Sequence, residues 1–469
     1  MYGSHDGGRP VLDVLLADAD GVYCLRTDVA PDVDGRFRYP SLTPQVPAAF
    51  WYERALHDLS GVVPVGHPRP DPLLLPRDPG APPPRPGGPP IRGVHSSAVE
   101  RRGPADLSGR GVFSLPLGPV RSGVFESIEF LIETPGEFIP HLNIRPHYKH
   151  RGIAKRFEGT TVDDAVLVAE RVEGIASVAH ALAFAHAAES LTGATPPRRA
   201  RLIRVVHAEL ERIANHLDVV IRLCEAAGLA VPTARFGWHK ETVLRLVSGM
   251  CGSRFGRNVV IAGGVATAPH LAPEEIAGRL SALMDRVAAD RKLLMCDSTF
   301  LDRVRGTGHL DPELAAAHGA LGPVGRGSGC TDDARRRPYD GYDELPEPSW
   351  VVDSRGDAQA RLQVRLDEID AAAALIQHAC EHLRPLGSAP LYAQLDDDAD
   401  GFATGWAEAP QGEVLYALAM RDGRVVRCFA RSASLHNMLL FADVFGRDVL
   451  TDFPFIEASF GLSYAGVAM

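Results

Sequence analysis

The chain has 469 residues, 45% of them hydrophobic, and a formal charge of −10 from 49 Lys and Arg against 59 Asp and Glu. That size and apolar content suffice for a sizeable core and more than one structural unit, while the acidic balance argues against a general nucleic-acid binder, whose phosphate contacts leave a basic footprint. Seven cysteines, with no C-x-x-C pair, point to a reducing compartment and to no zinc or iron-sulfur cluster held by this chain.

The N-terminus lacks a hydrophobic signal core, and stretches such as Asp164 to Ala188 are broken by charged residues too often for a membrane span. A soluble, cytoplasmic chain is expected, free to sit on a membrane partner. Val11 to Leu16 and Val22 to Thr27 are β-prone runs around Asp18-Ala19-Asp20-Gly21 and read as a hairpin. Ala48 to Leu59 reads as a short helix. From His67 to Gly93 proline and glycine dominate, as a stiff extended linker requires. Alternation between Gly111 and Pro140 predicts strands around Phe113 to Leu117 and Val124 to Glu133. From Thr161 the period turns helical, with apolar residues at i, i+3, i+4 in Asp163 to Leu191, Ala200 to Gly228, Lys240 to Met250, Pro273 to Met295 and Asp357 to Leu383. A β-rich stretch, Gly412 to Arg427, precedes a last helix from Ser434 to Phe445. The expected class is α+β, predominantly helical, a helix bundle with a β-containing N-terminal part.

Few constellations carry chemistry by spacing alone. His147 and His150 share a helix face three residues apart, as a ligand pair would, or are two surface histidines flanked by Lys149 and Arg151. Glu173 and His180 fall two turns apart on one predicted helix with Ala176 between them, which suits either a buried proton relay or an ordinary ion pair. Glu209, Glu211, Arg212 and His216 on one helix, and Arg361, Arg365 and Glu368 on another, read as exposed or i, i+4 pairs worth a few tenths of a kcal/mol. Arg198, Arg199 and Arg201 read as a solvated face or subunit contact. No Walker loop, Gly-x-Gly-x-x-Gly after a strand, or Gly-x-Ser-x-Gly elbow is present.

Taken as words, the same segments carry a resemblance. Gly118-Pro119-Val120, His150-Arg151-Gly152, Glu209-Leu210-Glu211-Arg212 with His216-Leu217, Gly263-Gly264-Val265, Ser328-Gly329 with Asp333 and Arg335, Pro338-Tyr339, Gly356-Asp357 with Arg361, and Glu408-Ala409-Pro410-Gln411-Gly412-Glu413 occur in an order that resembles the complex I D (49-kDa) subunit and the large subunit of membrane-bound [NiFe]-hydrogenases of the formate hydrogenlyase type. Tyr39 to Thr43, Trp51 to Arg54, Asp58-Leu59 and Gly66-His67-Pro68 are similar to the end of the complex I C subunit. The implied division is 1–68 as a truncated C-like hairpin and tail, 69–93 as linker, and 94–469 as the D-like, hydrogenase-large-subunit-like body.

The resemblance implies four positions for nickel-binding cysteines, and here they are Glu173, Ala176, Ser463 and Gly466. Soft thiolates hold nickel and bridge it to iron, so no resident metal is expected. Glu126 falls at the hydrogenase proton-transfer glutamate, and Gly174 and His180 keep the hydrogenase choice. Arg121 stands at or near the quinone-contacting histidine of complex I and Gly174 at its tyrosine, while Ala154 replaces a glutamate before Lys155. Glu126, Glu173 and His180 are therefore the candidate proton relay, and Arg121, His150, Arg151, Gly174, Ser463 and Tyr464 the candidate cavity or quinone-binding residues. A glutamate paired with Arg151 or Arg121 for stability is the plain alternative for Glu126. The implied protein is a peripheral subunit on the cytoplasmic side of the membrane, in a complex-I-like or energy-converting-hydrogenase-related oxidoreductase, binding no cofactor of its own beyond a possible quinone. Implied partners are a complex I B-like small subunit with a [4Fe-4S] cluster, a ferredoxin-like subunit and antiporter-like membrane-arm subunits. A catalytically silent coupling subunit is the alternative, and an active hydrogenase a third reading.

Overall fold

In a computed structural model of the protein, residues 1–6, 9–17, 21–76, 111, 113–121, 126–337, 339–347, 351–396 and 398–469 are described. Asp18 to Asp20 of the first turn, the linker beyond residue 76, Val124, Phe125 and Pro338 lie outside them.

The chain opens with three antiparallel strands, β1 (Tyr2–Asp6), β2 (Arg9–Ala17) and β3 (Val22–Asp28), paired in sequence order as the hairpin reading expects. Strands β4 (Arg38–Pro40) and β5 (Val63–Val65) run parallel, with helix α1 (Phe50–Ser60) between them. A meander follows, β6 (Phe113–Leu117), β7 (Glu129–Thr134) and β8 (His141–Arg145), with all of β7 buried. Val124 to Glu133 is thus shorter as a strand than expected, and Glu126 lies before it.

Helices α2 (Ile153–Phe157), α3 (Val162–Ala169), α4 (Ser177–Thr192), α5 (Arg198–Ala226) and α6 (Ala230–Cys251) come next, then the short ribbon β9 (Val260–Ile261) and β10 (Gly264–Val265). Helices α7 (Pro273–Leu294), α8 (Ser298–Val304), α9 (Pro312–His318), α10 (Gly322–Arg326) and α11 (Ala358–Leu383) lead to an antiparallel sheet of β11 (Gly401–Ala409), β12 (Gly412–Arg421) and β13 (Arg424–Arg431). Helices α12 (Ala433–Phe441), α13 (Phe453–Phe460) and α14 (Tyr464–Ala468) close the chain. The α+β, mainly helical expectation holds.

The single helix expected over Asp163 to Leu191 is two, α3 and α4, separated by Glu170 to Ala176. Glycine at 174 disfavours continuation, and the first free N–H groups of α4, on Val178 and Ala179, donate to the carboxylate of Glu211 at 2.8 and 3.0 Å. A side chain on another helix thus caps α4, which no local pattern reveals.

The main core packs α5 between α6 and α11, with α4, α7 and the β11–β13 sheet around them. Alanine-rich α4 lies flush on β11, and a Cβ at Gly405 would overlap the backbone of Ala183 and Ala187. A second core joins β6–β8 to α12–α14 and takes in Trp51, Leu73 and Leu74 from the N-terminal segment. That segment is held by Asp58, buried at the end of α1, whose Oδ2 accepts from the amides of Leu73, Leu74 and Leu75 at 2.7, 2.8 and 3.2 Å. Asp58→Ala is expected to cost on the order of 3 kcal/mol by stranding these donors, read as a lower denaturation midpoint together with faster proteolysis near Leu75.

The charged runs on α5 and α11 are not exposed pairs, which corrects the sequence reading. Arg212 pairs with Glu209 at 2.9 Å, Arg335 with Asp333 at 2.7 Å and with Glu209 at 3.3 Å, and Arg326 with Glu368 at 2.7 Å and Glu408 at 3.0 Å. His216 joins Glu368 at 2.8 Å, and Tyr342 donates to Glu209 at 2.6 Å. All are buried. Several partners come from distant segments, Arg335 and Tyr342 for Glu209 and Glu368 for His216, so helix periodicity alone makes the run look solvated. Arg198 and Arg201 likewise pair within the chain, with Glu344.

Candidate functional site

Glu173, Ala176, Ser463 and Gly466, which the resemblance implies as ligand positions, lie where the α3–α4 loop meets the start of α14. Glu173 extends its buried carboxylate across this space. Its Oε1 accepts from Ser432 Oγ and lies 3.2 Å from His180 Nε2, while Oε2 accepts from Ser434 Oγ at 3.4 Å. A Cβ at Gly466 would overlap Glu173 Oε1 and Cδ and come within 2.8 Å of Cγ. The glycine is therefore required by the carboxylate. Ala176 is fully buried and offers a methyl group, and Ser463 Oγ accepts from Gly466 N at 3.3 Å as the N-cap of α14.

Glu173 and His180 do meet, although not as two turns of one helix: Glu173 is in the loop and His180 is on α4. The imidazole Nδ1 lies 2.8 Å from the Tyr416 hydroxyl on β12. Burial pushes the Tyr416 phenol well above its usual range, so it stays protonated and can donate to Nδ1, leaving Nε2–H to donate to Glu173. This is a buried, hydrogen-bonded triad.

Glu126 forms the other half of the site. Its oxygens accept from Ser463 Oγ, both at 3.2 Å, and from Ala465 N at 2.8 Å. The two carboxylates are linked through Ser434 and Ser463, but the contact between those serines runs from Ser463 N–H to Ser434 Oγ at 3.1 Å. An amide proton does not hop, so the halves share position without a continuous hydroxyl relay. Glu126 makes no hydrogen bond to Arg121, while its charge acts on the Arg151 guanidinium, in the direction of the plain reading that pairs it with an arginine for stability.

Arg151 holds the two loops together. Its Nη2 donates to Val172 O at 2.6 Å and Ala465 O at 2.9 Å. Burial lowers its guanidinium pKa from the usual value, with Glu126 and Glu173 opposing. His150 Nδ1 is 2.7 Å from Ala468 O, and Arg151 N donates to Met469 O at 3.1 Å. The His-Arg-Gly segment thus clamps the last helix. His147 and His150 gather no third donor, and no group of three or more His, Cys, Asp or Glu suited to a metal occurs among the described residues.

Arg121 is also engaged. It donates to Glu457 Oε2 at 3.1 Å and to the Tyr464 hydroxyl at 3.2 Å, lies over the rings of Phe130 and Tyr464, and Tyr464 in turn donates to Glu457. Gly174 sits apart from this wall, exposed, with nothing within 4 Å of where a Cβ would be. It opens onto a groove between α4, α5 and α6. The residues sequence reasoning missed are Ser432, Ser434, Tyr416 and Glu457. Ser432 carries the one readable signal, a serine just before the last predicted helix and its N-cap in fact.

The fold is shared: the structure of the membrane-bound sulfane sulfur reductase, an archaeal respiratory membrane complex, contains a chain that superposes with a TM-score of 0.71 at 21% identity, covering 77% of this chain and 99% of that one. The family profile of the 49 Kd subunit of respiratory-chain NADH dehydrogenase matches residues 232–398, and that of the 30 Kd subunit matches residues 14–90. Formate hydrogenlyase subunit 5 of Escherichia coli is 29% identical over 98% of this chain and 82% of its own length. NADH-quinone oxidoreductase subunit 4 of Thermus thermophilus is 32% identical over 58% of this chain and 67% of its own. The chain belongs to the family of the 49-kDa, or D, subunit of respiratory-chain NADH dehydrogenase.

Proposed function

We propose that this protein is a peripheral subunit of a membrane-associated oxidoreductase, complex-I-like or related to energy-converting hydrogenases, with no NiFe centre and with a cavity that supplies protons to a small acceptor, such as a quinone. The observation that carries this reading is the Glu173 carboxylate, which fills the space between the four ligand positions and is matched by the missing side chain at Gly466. A carboxylate, a methyl, a hydroxyl and a bare backbone do not fit a group that needs four thiolates. No helix among the described residues is long and apolar enough to cross a membrane; attachment through other subunits, on the cytoplasmic face, is part of the proposal. The relatives are named as subunits of membrane-bound or respiratory complexes, which supports partner subunits in general; the partners we propose are a small subunit bearing a [4Fe-4S] cluster, a ferredoxin-like subunit and antiporter-like membrane subunits. Residues 1–68 form the C-like part in this reading and 94–469 the D-like body.

Two-electron reduction of a quinone to a quinol takes up two protons. The partner's cluster supplies the electrons. In this reading Glu173, hydrogen-bonded to His180, and Glu126 are the carboxylates that pass protons to the acceptor. Arg121, held by Glu457 and Tyr464, braces the wall with Arg151, His150, Ser463 and Tyr464. In the purified complex, Glu173→Gln is expected to slow reduction of short-chain quinone analogues by about a hundredfold, while Arg121→Ala changes the rate by much less. An unchanged rate in Glu173→Gln would sink the assignment, as would stoichiometric nickel in the complex. A silent coupling subunit is the second reading, favoured by the fully hydrogen-bonded Glu173; intact assembly without turnover on any acceptor would establish it.

A further inference from the structure

Of the four residues Trp51-Tyr52-Glu53-Arg54 on α1, three hold the N-terminal segment in place. Trp51 is buried in the second core. Glu53 accepts from the amides of Leu42 and Thr43 at 2.8 and 3.1 Å, and Arg54 donates to Asp71 O and Pro72 O at 2.7 and 2.9 Å. Tyr52 sends its hydroxyl across to the body of the protein, 3.1 Å from Nδ1 of His436 on α12.

The other side of the imidazole fixes the direction of this bond. His436 Nε2 lies 2.8 Å from His318 O and 2.9 Å from Gly319 O, two groups that only accept. The proton of the neutral ring is therefore on Nε2, and Nδ1 is left to accept from the tyrosine O–H. Burial, with Arg431 adding to it, holds His436 down to about 4, and burial pushes the Tyr52 phenol up to about 12 against Arg431, so both groups are neutral near pH 7.

His436 is one turn past Ser432, and its N–H donates to Ser432 O at 3.3 Å. Ser432 is the N-cap of α12, accepting from Ser434 N at 2.9 Å, and the hydroxyls of both serines donate to Glu173. On the opposite flank Phe429 of β13, three residues before Ser432, is stacked on Tyr2 of β1 with ring centroids 4.7 Å apart. The strand-to-helix corner that clamps Glu173 is thus held from both sides by aromatic residues of the N-terminal segment. Asn437 ties the same helix to Leu321 through both ends of its amide, at 3.0 and 2.9 Å, so α12 keeps a second anchor when the Tyr52 bond is lost.

We propose that Tyr52 is a positioning residue of the Glu173 site: acting through His436, it sets where the first turn of α12 presents the Ser432 and Ser434 hydroxyls to the carboxylate. Without the phenol O–H, Nδ1 becomes a buried acceptor with no donor, and the ring regains a partner only by turning from the two carbonyls or drawing its helix toward water. The kinetic consequence rests on the proposed role of Glu173 in turnover; the contact itself does not, and the two are read separately.

The first readout needs no turnover. In the folded full chain, labelled with 13C at the glutamate carboxyl carbons and with the Glu173 resonance assigned by its loss in Glu173→Gln, Tyr52→Phe is expected to move that resonance while the far-UV circular dichroism stays that of the wild type. In the purified complex Tyr52→Phe is expected to lower kcat for a short-chain quinone analogue by roughly threefold to tenfold, the equivalent of one hydrogen bond, with KM little changed. In a background carrying Ser432→Ala and Ser434→Ala it should have no further effect, because the groups it acts through are gone. A Glu173 resonance that stays in place in Tyr52→Phe would overturn the proposal. So would an unchanged kcat beside a slow Glu173→Gln, or effects of Tyr52→Phe and the serine changes that multiply independently. If Glu173→Gln leaves the rate unchanged, the role of Glu173 in turnover falls, while a moved resonance still upholds the link to Tyr52.

Discussion

Gly466→Ala is expected to destabilise the protein by about 3 kcal/mol, the upper end for overpacking a tight interior, because the added methyl overlaps the Glu173 carboxylate. The obstacle is the carboxylate end of the Glu173 side chain. Glu173 is fixed by Ser432, Ser434 and His180, so yielding to the methyl breaks buried hydrogen bonds. The cycle Gly466→Ala, Glu173→Ala and the double variant separates this contact from a general effect of alanine at 466. The double variant should cost clearly less than the sum of the two single changes. Additivity within a few tenths of a kcal/mol, measured by chemical denaturation, would mean that the carboxylate does not fill the space.

Arg326→Leu should cost more, about 3–5 kcal/mol, the range for removing one partner from a buried ionic cluster. The loss removes the cation between Glu368, Glu408 and Asp333, leaving Glu368 with His216 and Glu408 with the Ala334 amide. The pH dependence gives a second readout. Burial opposes ionisation of Glu368, yet Arg326, His216 and Arg212 more than offset it and hold the carboxyl well below its usual range. Asp333, also against burial, is drawn down to about 2 by Arg335 and Arg326. A folded-state pKa below the unfolded value contributes stability that is present above the unfolded carboxylate pKa near 4 and is lost as pH falls through the folded value. The wild type should therefore lose stability on acidification below about pH 4, and Arg326→Leu should show a shallower loss from a lower plateau. Equal slopes would place the pH dependence elsewhere.

Most of the architecture was legible because it rests on local rules. Proline at 273 and the 3.6-residue period of α5, α7 and α11 locate those helices to within about two residues. The interruption between α3 and α4 was not legible, since its cap comes from Glu211 on the next helix. The four ligand positions were found through the resemblance, and their juxtaposition followed. What no pattern conveyed was direction: that Glu173 points into the space and not away from it, that Arg121 is already engaged by Glu457, and that the α5 charges face inward. Each of these depends on a partner brought from a distant part of the chain.

Helix α5 has a consequence of its own. Its 29 residues span about 43 Å at 1.5 Å per residue. One stripe, Glu209, Arg212 and His216, is bolted into the ionic interior, and the neighbouring stripe, His207 and Glu211, forms the wall of the groove and the cap of α4. Such a rod cannot slide by a residue on one side alone. The helix therefore ties the ionic interior to the cap of α4, beside the loop bearing Glu173, through its backbone and not through a shared side chain.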